Sequence, residues 1–562
     1  RRHNIAAHIL RTSQESRREY LGSKTVGRLP GMRKDRILNA VALVILPAVF
    51  CLVAGRDILL PGIQDDELLH APASICLLKH TEQTPARVLY TVDVFGYHFP
   101  VMHTMYLGSL KSYVLAVGFA FMGINVLALR MTTILIAALG LFFFIRFAGE
   151  CFGNRVGWWS GLLIASDPSF ILCCRSDWGP VSIAFVLRMA GMFYLLRWWR
   201  NRRTARPLLI CAMLMGLGIY DKANFFWFIA AVVVSGSLFW VLSPDRPSVR
   251  KGLVRNAVLV GIAGSSPFWF YNIGHHFGTL RAINQPGAVS QTIIERIAML
   301  SNTLNGTCIA AYMFGSSVKG FAMSRTCLWP VFLCAISVLI VYGFVNARQR
   351  RKLLALVALA LTTIIQILLT PHTIGPHHWL FLYPFPHLIV VVAALGIRPC
   401  AGTKWGRVLP ACGYLVLCLC LACNISTVYN NGKLMVATGG QWVWNSAIYD
   451  LANVLQADYG DRTIQLMDWG SYNPLFFLSL GNLHLAESFW PYLADSEPKE
   501  ELLNQVRDGK NVFVLRSVSS AVFLSAGRAF FNAVQQTGVR VKQDRVLHDR
   551  QGNEIYRVME CK

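Results

Sequence analysis

Ile37-Leu-Asn-Ala-Val-Ala-Leu-Val-Ile-Leu-Pro-Ala-Val-Phe-Cys-Leu-Val-Ala-Gly55 runs without a charge, and Arg56-Asp-Ile-Leu-Leu-Pro-Gly-Ile-Gln-Asp-Asp-Glu67 follows at once. The run is longer than the apolar core of a signal peptide, so it reads as a retained first membrane span. Pro61-Gly62 ends the chain's exit from that span, and Asp65, Asp66 and Glu67 open an amphipathic stretch through Leu78. The same pattern, an apolar run and then a charged connector, recurs along the chain.

Of the 562 residues, 54% are hydrophobic and only 15% are charged. A soluble domain carries about a quarter charged residues. The net charge of +24 would suit a nucleic-acid binder. Its Lys and Arg, however, sit in short clusters between apolar runs rather than on one face or tail, which excludes that class. The 15 cysteines lie mostly inside apolar runs, and even the Cys420–Cys423 pair reads as small packing residues rather than redox or metal chemistry.

The basic clusters Arg197–Arg203, Arg246–Arg255, Arg348–Lys352 and Arg398–Arg407 are expected on the cytoplasmic side, with the basic N-terminal segment 1–36. Candidate spans are Ile37–Gly55, Leu129–Phe147, Gly157–Cys173, Gly179–Leu196, Pro207–Tyr220, Ala223–Leu242, Leu253–Tyr271, Thr326–Val345, Leu353–Pro371, His378–Ile397 and Val408–Asn424. A further run, Tyr106–Gly123, would throw every later basic cluster outside if it crossed. It carries Ser109, Lys111 and Ser112, and reads as an interfacial helix on the outer surface.

The fold class expected is therefore a polytopic α-helical membrane protein of about eleven spans. Its parts are a membrane-embedded region 37–424 with an acidic outer loop 56–128, and a small soluble α/β domain 425–562 on the outer face. In that tail Asn445–Ala457 and Lys499–Arg507 read as helices. Ile464–Met467, Val512–Leu515, Arg540–Leu547 and Glu554–Met559 read as strands, with Asp549–Asn553 the turn of a closing hairpin.

Three acids together exceed what capping a helix requires. Glu67 and His70 share a helix face at i, i+3, too few ligands to define a metal site, although a divalent metal is left open. Arg175-Ser-Asp-Trp-Gly-Pro180, Asp221-Lys222 and His377-His378 mark further span ends on the same side. Each reads as an interfacial helix end or, taken together, as a shared polar cavity. Walker A, dinucleotide-binding, zinc-protease and serine-hydrolase motifs are absent from the sequence.

Asp66-Glu67 after the first span, Gly96-Tyr-His-Phe-Pro-Val-Met102 leading into Tyr106–Tyr113, Ser176-Asp-Trp-Gly-Pro180, and Gly218-Ile-Tyr-Asp-Lys-Ala-Asn224 together resemble the membrane-embedded GT-C glycosyltransferases. The similar branch is the dolichyl-phosphate-mannose–protein mannosyltransferase-like family, related to the lipid A aminoarabinose transferase. The resemblance covers roughly residues 37–400. It implies inverting transfer of a sugar from a polyprenyl-phosphate donor to an acceptor hydroxyl on a lipid, glycan or protein at the outer face. It also implies Asp66 as the base, with Glu67 orienting or assisting it. Arg175, Lys222 and Lys111 are the candidates for the donor phosphate. Asp177, Asp221, His377 and His378 complete the candidate substrate site. A transporter or flippase of lipid-linked sugars is the competing class. It accounts for the spans but not for an acidic loop followed by a soluble tail.

Overall fold

A computed structural model describes residues 30–79, 88–244, 250–284, 291–347, 349–371, 375–397 and 405–561. Most of the basic segment 1–36, residues 245–249 of the second basic cluster, Arg348 and residues 398–404 lie outside the described residues. The chain divides into two compact units, Arg1–Ile45 and Leu46–Lys562. The described part of the first is the opening of helix Pro30–Gly55.

Each apolar run of the sequence lands on helix, but the helices differ in reach. Val126–Phe152, Val181–Arg200, Leu328–Val345, Arg350–Leu369 and Val408–Thr438 are long and apolar enough to cross a membrane. Asn154–Ala165 and Pro168–Ser176, bent by 65°, make a sixth if counted as one span. The bend has a local cause. Pro168 cannot donate to the preceding turn, and Asp167 restarts the helix by accepting from Phe170 N at 2.8 Å. Arg206–Asp221 has 16 residues, about 24 Å of helix against about 30 Å of hydrocarbon. The run 253–271 breaks at Ser265 ahead of Pro267 into Lys251–Gly264 and Ser266–Gly274. The run from His378 begins as a 3-10 turn, Pro376–Phe381, and becomes α-helical at Phe385–Leu395.

Two boundaries differ from the expectation. The last membrane helix does not end at Asn424 but continues to Thr438. Ile425–Thr438 holds no proline and no glycine pair, and the stop comes at Gly439-Gly440, both at positive φ (72° and 102°). The run Tyr106–Gly123 is also not one helix. Leu107–Gly108 is a strand paired with Tyr97–Thr104, and only Leu110–Met122 is helical. At 13 residues it is about 20 Å long, short of the hydrocarbon thickness. Its Lys111 and Ser112 are buried rather than facing water.

The tail carries a five-stranded sheet in the order His484–Glu487, Thr463–Leu466, Asn511–Arg516, Glu554–Cys561, Val541–His548. The first three strands run parallel, and Glu554–Cys561 is antiparallel to both its neighbours. The edge strand His484–Glu487 and helices Tyr472–Leu478 and Leu524–Thr537 were not foreseen from the sequence. The sheet shares one apolar core with the acidic loop: Ile63, Leu68, Ile75 and Phe119 pack with Ile448, Leu451, Leu475 and Val514. Tail and loop thus fix each other's position.

Candidate functional site

The acidic run starts a one-turn helix, Asp65–Leu68, whose N-cap Gln64 accepts from Glu67 N at 3.1 Å. Side chains on so short a turn point three ways, and each acid meets a different partner. Glu67 is buried in a two-bond pair with Arg130, Nε to Oε1 at 2.6 Å and Nη2 to Oε2 at 2.9 Å. Arg130 also donates to the carbonyls of Ile58 and Pro61 at 2.7 and 3.0 Å. This carboxylate anchors the loop to helix Val126–Phe152. Asp65 is buried and accepts from Asn473 N at 3.3 Å, tying the loop to the tail.

Asp66 differs. It is half-buried, its Oδ2 accepts from Trp178 Nε1 at 3.3 Å, and among the described residues it makes no ion pair. Burial first, then the Asp66 carboxylate, raise the Tyr106 phenol above the usual tyrosine range.

Asp177 sits in the left-handed region at φ 43°. Its Oδ1 accepts from Ser182 N at 2.7 Å and its Oδ2 pairs with Lys111 Nζ at 2.9 Å. Lys111 also donates to the carbonyls of Glu67 and Asp177 at 3.1 and 3.4 Å. Lys111 thus already holds one ion pair and two carbonyls. Asp177 pairs with neither Arg175 nor Lys222; it braces the loop through Lys111.

Lys222 is buried, donates to Gly179 O at 3.4 Å, and is held by backbone pairing to Leu107. Burial lowers its ammonium below the usual lysine range, opposed by the Asp221 and Asp66 carboxylates. Gly179, at φ +78°, is required: a Cβ there would meet His377 Cδ2 at 2.6 Å and Lys222 Nζ at 3.3 Å. His377 lies 5.0 Å from Trp178 and 4.2 Å from His378, ring to ring. Burial first, then His378 and Lys222, hold the His377 imidazole neutral. Among the described residues neither Asp221 carboxylate oxygen, both buried, has a hydrogen-bond partner. Asp66, Lys222 and His377, far apart in sequence, therefore gather around Trp178 and Gly179, with His378 packed beside His377 and Asp221 next to Lys222 in the chain.

Arg175 does not join them. Its Nη2 donates to Asp57 O at 2.7 Å and its Nη1 lies 3.9 Å from Met435 Sδ. Its Nε is buried without a partner. It heads a separate, mainly apolar cavity of about 520 Å³ between helices Pro30–Gly55, Asn154–Ala165, Pro168–Ser176 and Trp405–Thr438.

Sequence reading missed His103, which shares the Ser112 hydroxyl with His70 at 2.7 and 3.2 Å. It also missed Tyr312, 5.7 Å from Trp178. Neither carried a signal, because their partners lie on other segments. Glu67 and His70 form no ligand pair, since Arg130 and Ser112 hold them. Among the described residues no three His, Cys, Asp or Glu come together as a metal-holding group.

Residues 109–271 match the sequence profile of the dolichyl-phosphate-mannose-protein mannosyltransferase family. No curated protein matches the chain by sequence. ArnT from Cupriavidus metallidurans, solved bound to undecaprenyl phosphate, is 13% identical over 92% of this chain and 98% of its own, with a TM-score of 0.58. The oligosaccharyltransferase AglB from Archaeoglobus fulgidus, solved with an inhibitory peptide and dolichol-phosphate, is 12% identical over 86% of this chain and 70% of its own, with a TM-score of 0.50. The arabinofuranosyltransferase AftD from Mycobacteria is 15% identical over 92% of this chain and 41% of its own, with a TM-score of 0.51. The chain thus shares the fold of ArnT, is similar to the dolichyl-phosphate-mannose-protein mannosyltransferase family over residues 109–271, and has five helices among the described residues long and apolar enough to cross a membrane.

Proposed function

We propose that the protein transfers a sugar from a polyprenyl-phosphate donor to an acceptor hydroxyl at the outer membrane face, with inversion, and that Asp66 is the general base. One observation carries the assignment of the base. Of the three acids 65–67, Glu67 is paired with Arg130 and Asp65 is bonded to Asn473, whereas Asp66 is half-buried and among the described residues is held by the Trp178 indole without an ion pair. A general base must be able to reach the acceptor hydroxyl, and a carboxylate not tied up in an ion pair is available for that.

The chemistry is economical. The acceptor oxygen gives its proton to Asp66 and attacks the anomeric carbon. The bond from that carbon to the phosphate oxygen breaks, and polyprenyl phosphate leaves. A phosphate monoester is a good leaving group, so charge stabilisation suffices in place of a general acid. Lys222 supplies it, with the imidazoles of His377 and His378 beside it. We assign the phosphate role first to Lys222, the cation of the Asp66 cluster, because Lys111 already pairs with Asp177 and donates to two carbonyls. Glu67 and Lys111 position the loop. The fold's likeness to ArnT, solved with undecaprenyl phosphate, supports a lipid-phosphate donor.

The test is release of polyprenyl phosphate from synthetic polyprenyl-phosphate hexose and pentose donors by the full chain in nanodiscs, with neutral oligosaccharides, a Ser/Thr-rich peptide and water offered as the acceptor hydroxyl. Release dependent on Asp66, and lost in Asp66→Asn protein that still melts as the parent does, is the expected result. Release by Asp66→Asn at the parent rate overturns the assignment of the base. Failure to release phosphate from every donor overturns the transfer reading.

A further inference from the structure

Next to the Asp66 cluster lies a second cavity, of about 710 Å³, within the roughly 300–1,000 Å³ of small-ligand sites. Tyr312, Gln441, Trp442, Ser519, Asp549 and Asn553 line it. We propose that this cavity is the acceptor site and that its occupant is a saccharide, an inference that rests on the glycosyl-transfer reading above.

Its position links it to the base by two routes. The Tyr312 ring is 5.7 Å from Trp178, whose indole nitrogen bonds Asp66. Trp444, two residues beyond Trp442, packs edge-on against the same Trp178 at 5.6 Å. Its neighbour Asn445 presses on the acidic loop: a Cβ on Gly62 would meet Asn445 O at 2.3 Å. Trp178 therefore touches His377 on the donor side and Tyr312 on the side of the cavity.

Its chemistry selects the occupant. Tyr312 and Trp442 are 36% and 37% exposed, a pair of amphipathic rings suited to the C–H faces of a sugar. Asp549 accepts from Gln551 N and Asn553 N at 2.8 Å each and from Asn553 Nδ2 at 3.0 Å. A carboxylate has room for about four donors, so one position is left for a hydroxyl. Ser519 and Gln441 add hydroxyl and amide groups. No Lys or Arg is among the lining residues, so a phosphorylated headgroup finds no countercharge there.

Trp442 is also held in a conformation it would not choose. Its φ of 51° is left-handed, rare for a large side chain. Gln441 pins it by N to Met313 O at 2.9 Å and Nε2 to Ala311 O at 2.6 Å, and Arg516 Nη1 donates to Trp442 O at 3.3 Å. Strain stored in a half-exposed aromatic at a cavity wall fits a ring placed for a ligand.

Equilibrium binding tests this without turnover. The full chain in nanodiscs, without donor, is titrated with radiolabelled di- to tetrasaccharides of neutral hexoses and pentoses. Saturable binding is expected, weakened about tenfold or more by Trp442→Ala and by Asn553→Ala. A Ser/Thr-rich peptide and glycerol phosphate should not compete. Asn553 lies on an exposed turn, so its variant keeps the test valid if Trp442→Ala misfolds; melting profiles identify that case. Absence of binding across the panel, unchanged binding in the folded variants, or displacement by the peptide overturns the proposal. Asp66-dependent phosphate release without saccharide binding sinks the acceptor site alone. Saccharide binding with no phosphate release from any donor sinks the transfer reading alone.

Discussion

Residues 62–70 and residues 175–182 are two short connectors that follow apolar helices, and each carries acids or an acid and a base. They use them differently. In the first, Glu67 is consumed by Arg130 and Asp66 is left with a single neutral donor. In the second, Asp177 is consumed by Lys111 and Ser182 N, while Arg175 turns to Asp57 O and an apolar cavity. The residue left over in the first faces a cluster of titratable groups, and the residue left over in the second faces hydrocarbon side chains. A charge near a span end is therefore no guide to a shared site until its neighbours are known. Burial removes one member of each pair from chemistry and uses it as a brace.

Breaking the first connector at Asp66 should have the largest effect. Asp66→Asn keeps shape and the bond from Trp178 but removes the basic site, and transfer should fall about 10²–10⁴-fold. Steady-state rates with a saturating donor check this, against an unchanged melting profile.

Glu67→Gln should do the reverse. Leaving Arg130 buried without its anion should destabilise the protein by roughly 3–5 kcal/mol. The rate per folded molecule should stay within about an order of magnitude of the parent, below the loss expected for removing the base. Denaturation curves beside rates normalised to folded protein separate the two. A Glu67→Gln protein of parental stability and no activity would move the base to Glu67.

The two cations sharpen the comparison further. Lys222→Met should lower the rate about 10²-fold, as loss of one charge-stabilising group does. Arg175→Met should lower it by less than about tenfold, because Arg175 shares no bonding partner with Asp66. Equal losses would bring the apolar cavity into the donor site.

The smallest effect should come from Asn473→Ala, which cuts the link from the tail to Asp65. About 1 kcal/mol of stability should go, with the rate per folded molecule unchanged. Differential scanning fluorimetry of the two proteins side by side resolves it.

Much of this was legible in the sequence because its signals are local. Apolar runs, basic clusters and the 549–553 hairpin each rest on residues within a few positions of one another. The strands at 463–466, 511–516, 541–548 and 554–561 follow from short apolar or alternating runs for the same reason. The edge strand His484–Glu487 and helix Tyr472–Leu478 were not legible, because each is set by what it packs against.

By itself the sequence determined that this is a helical membrane protein with an acidic loop after its first apolar helix and a mixed α/β tail. Chain connectivity and hydrophobic period decide such things one segment at a time. Only the tertiary structure decided which charges are free. Glu67 and Arg130 are 63 residues apart, and Lys111 and Asp177 are 66 apart. A buried ion pair is a property of two surfaces brought together, and a single sequence does not record which cation will reach which acid. Asp66 stands out because its neighbours found partners elsewhere in the fold.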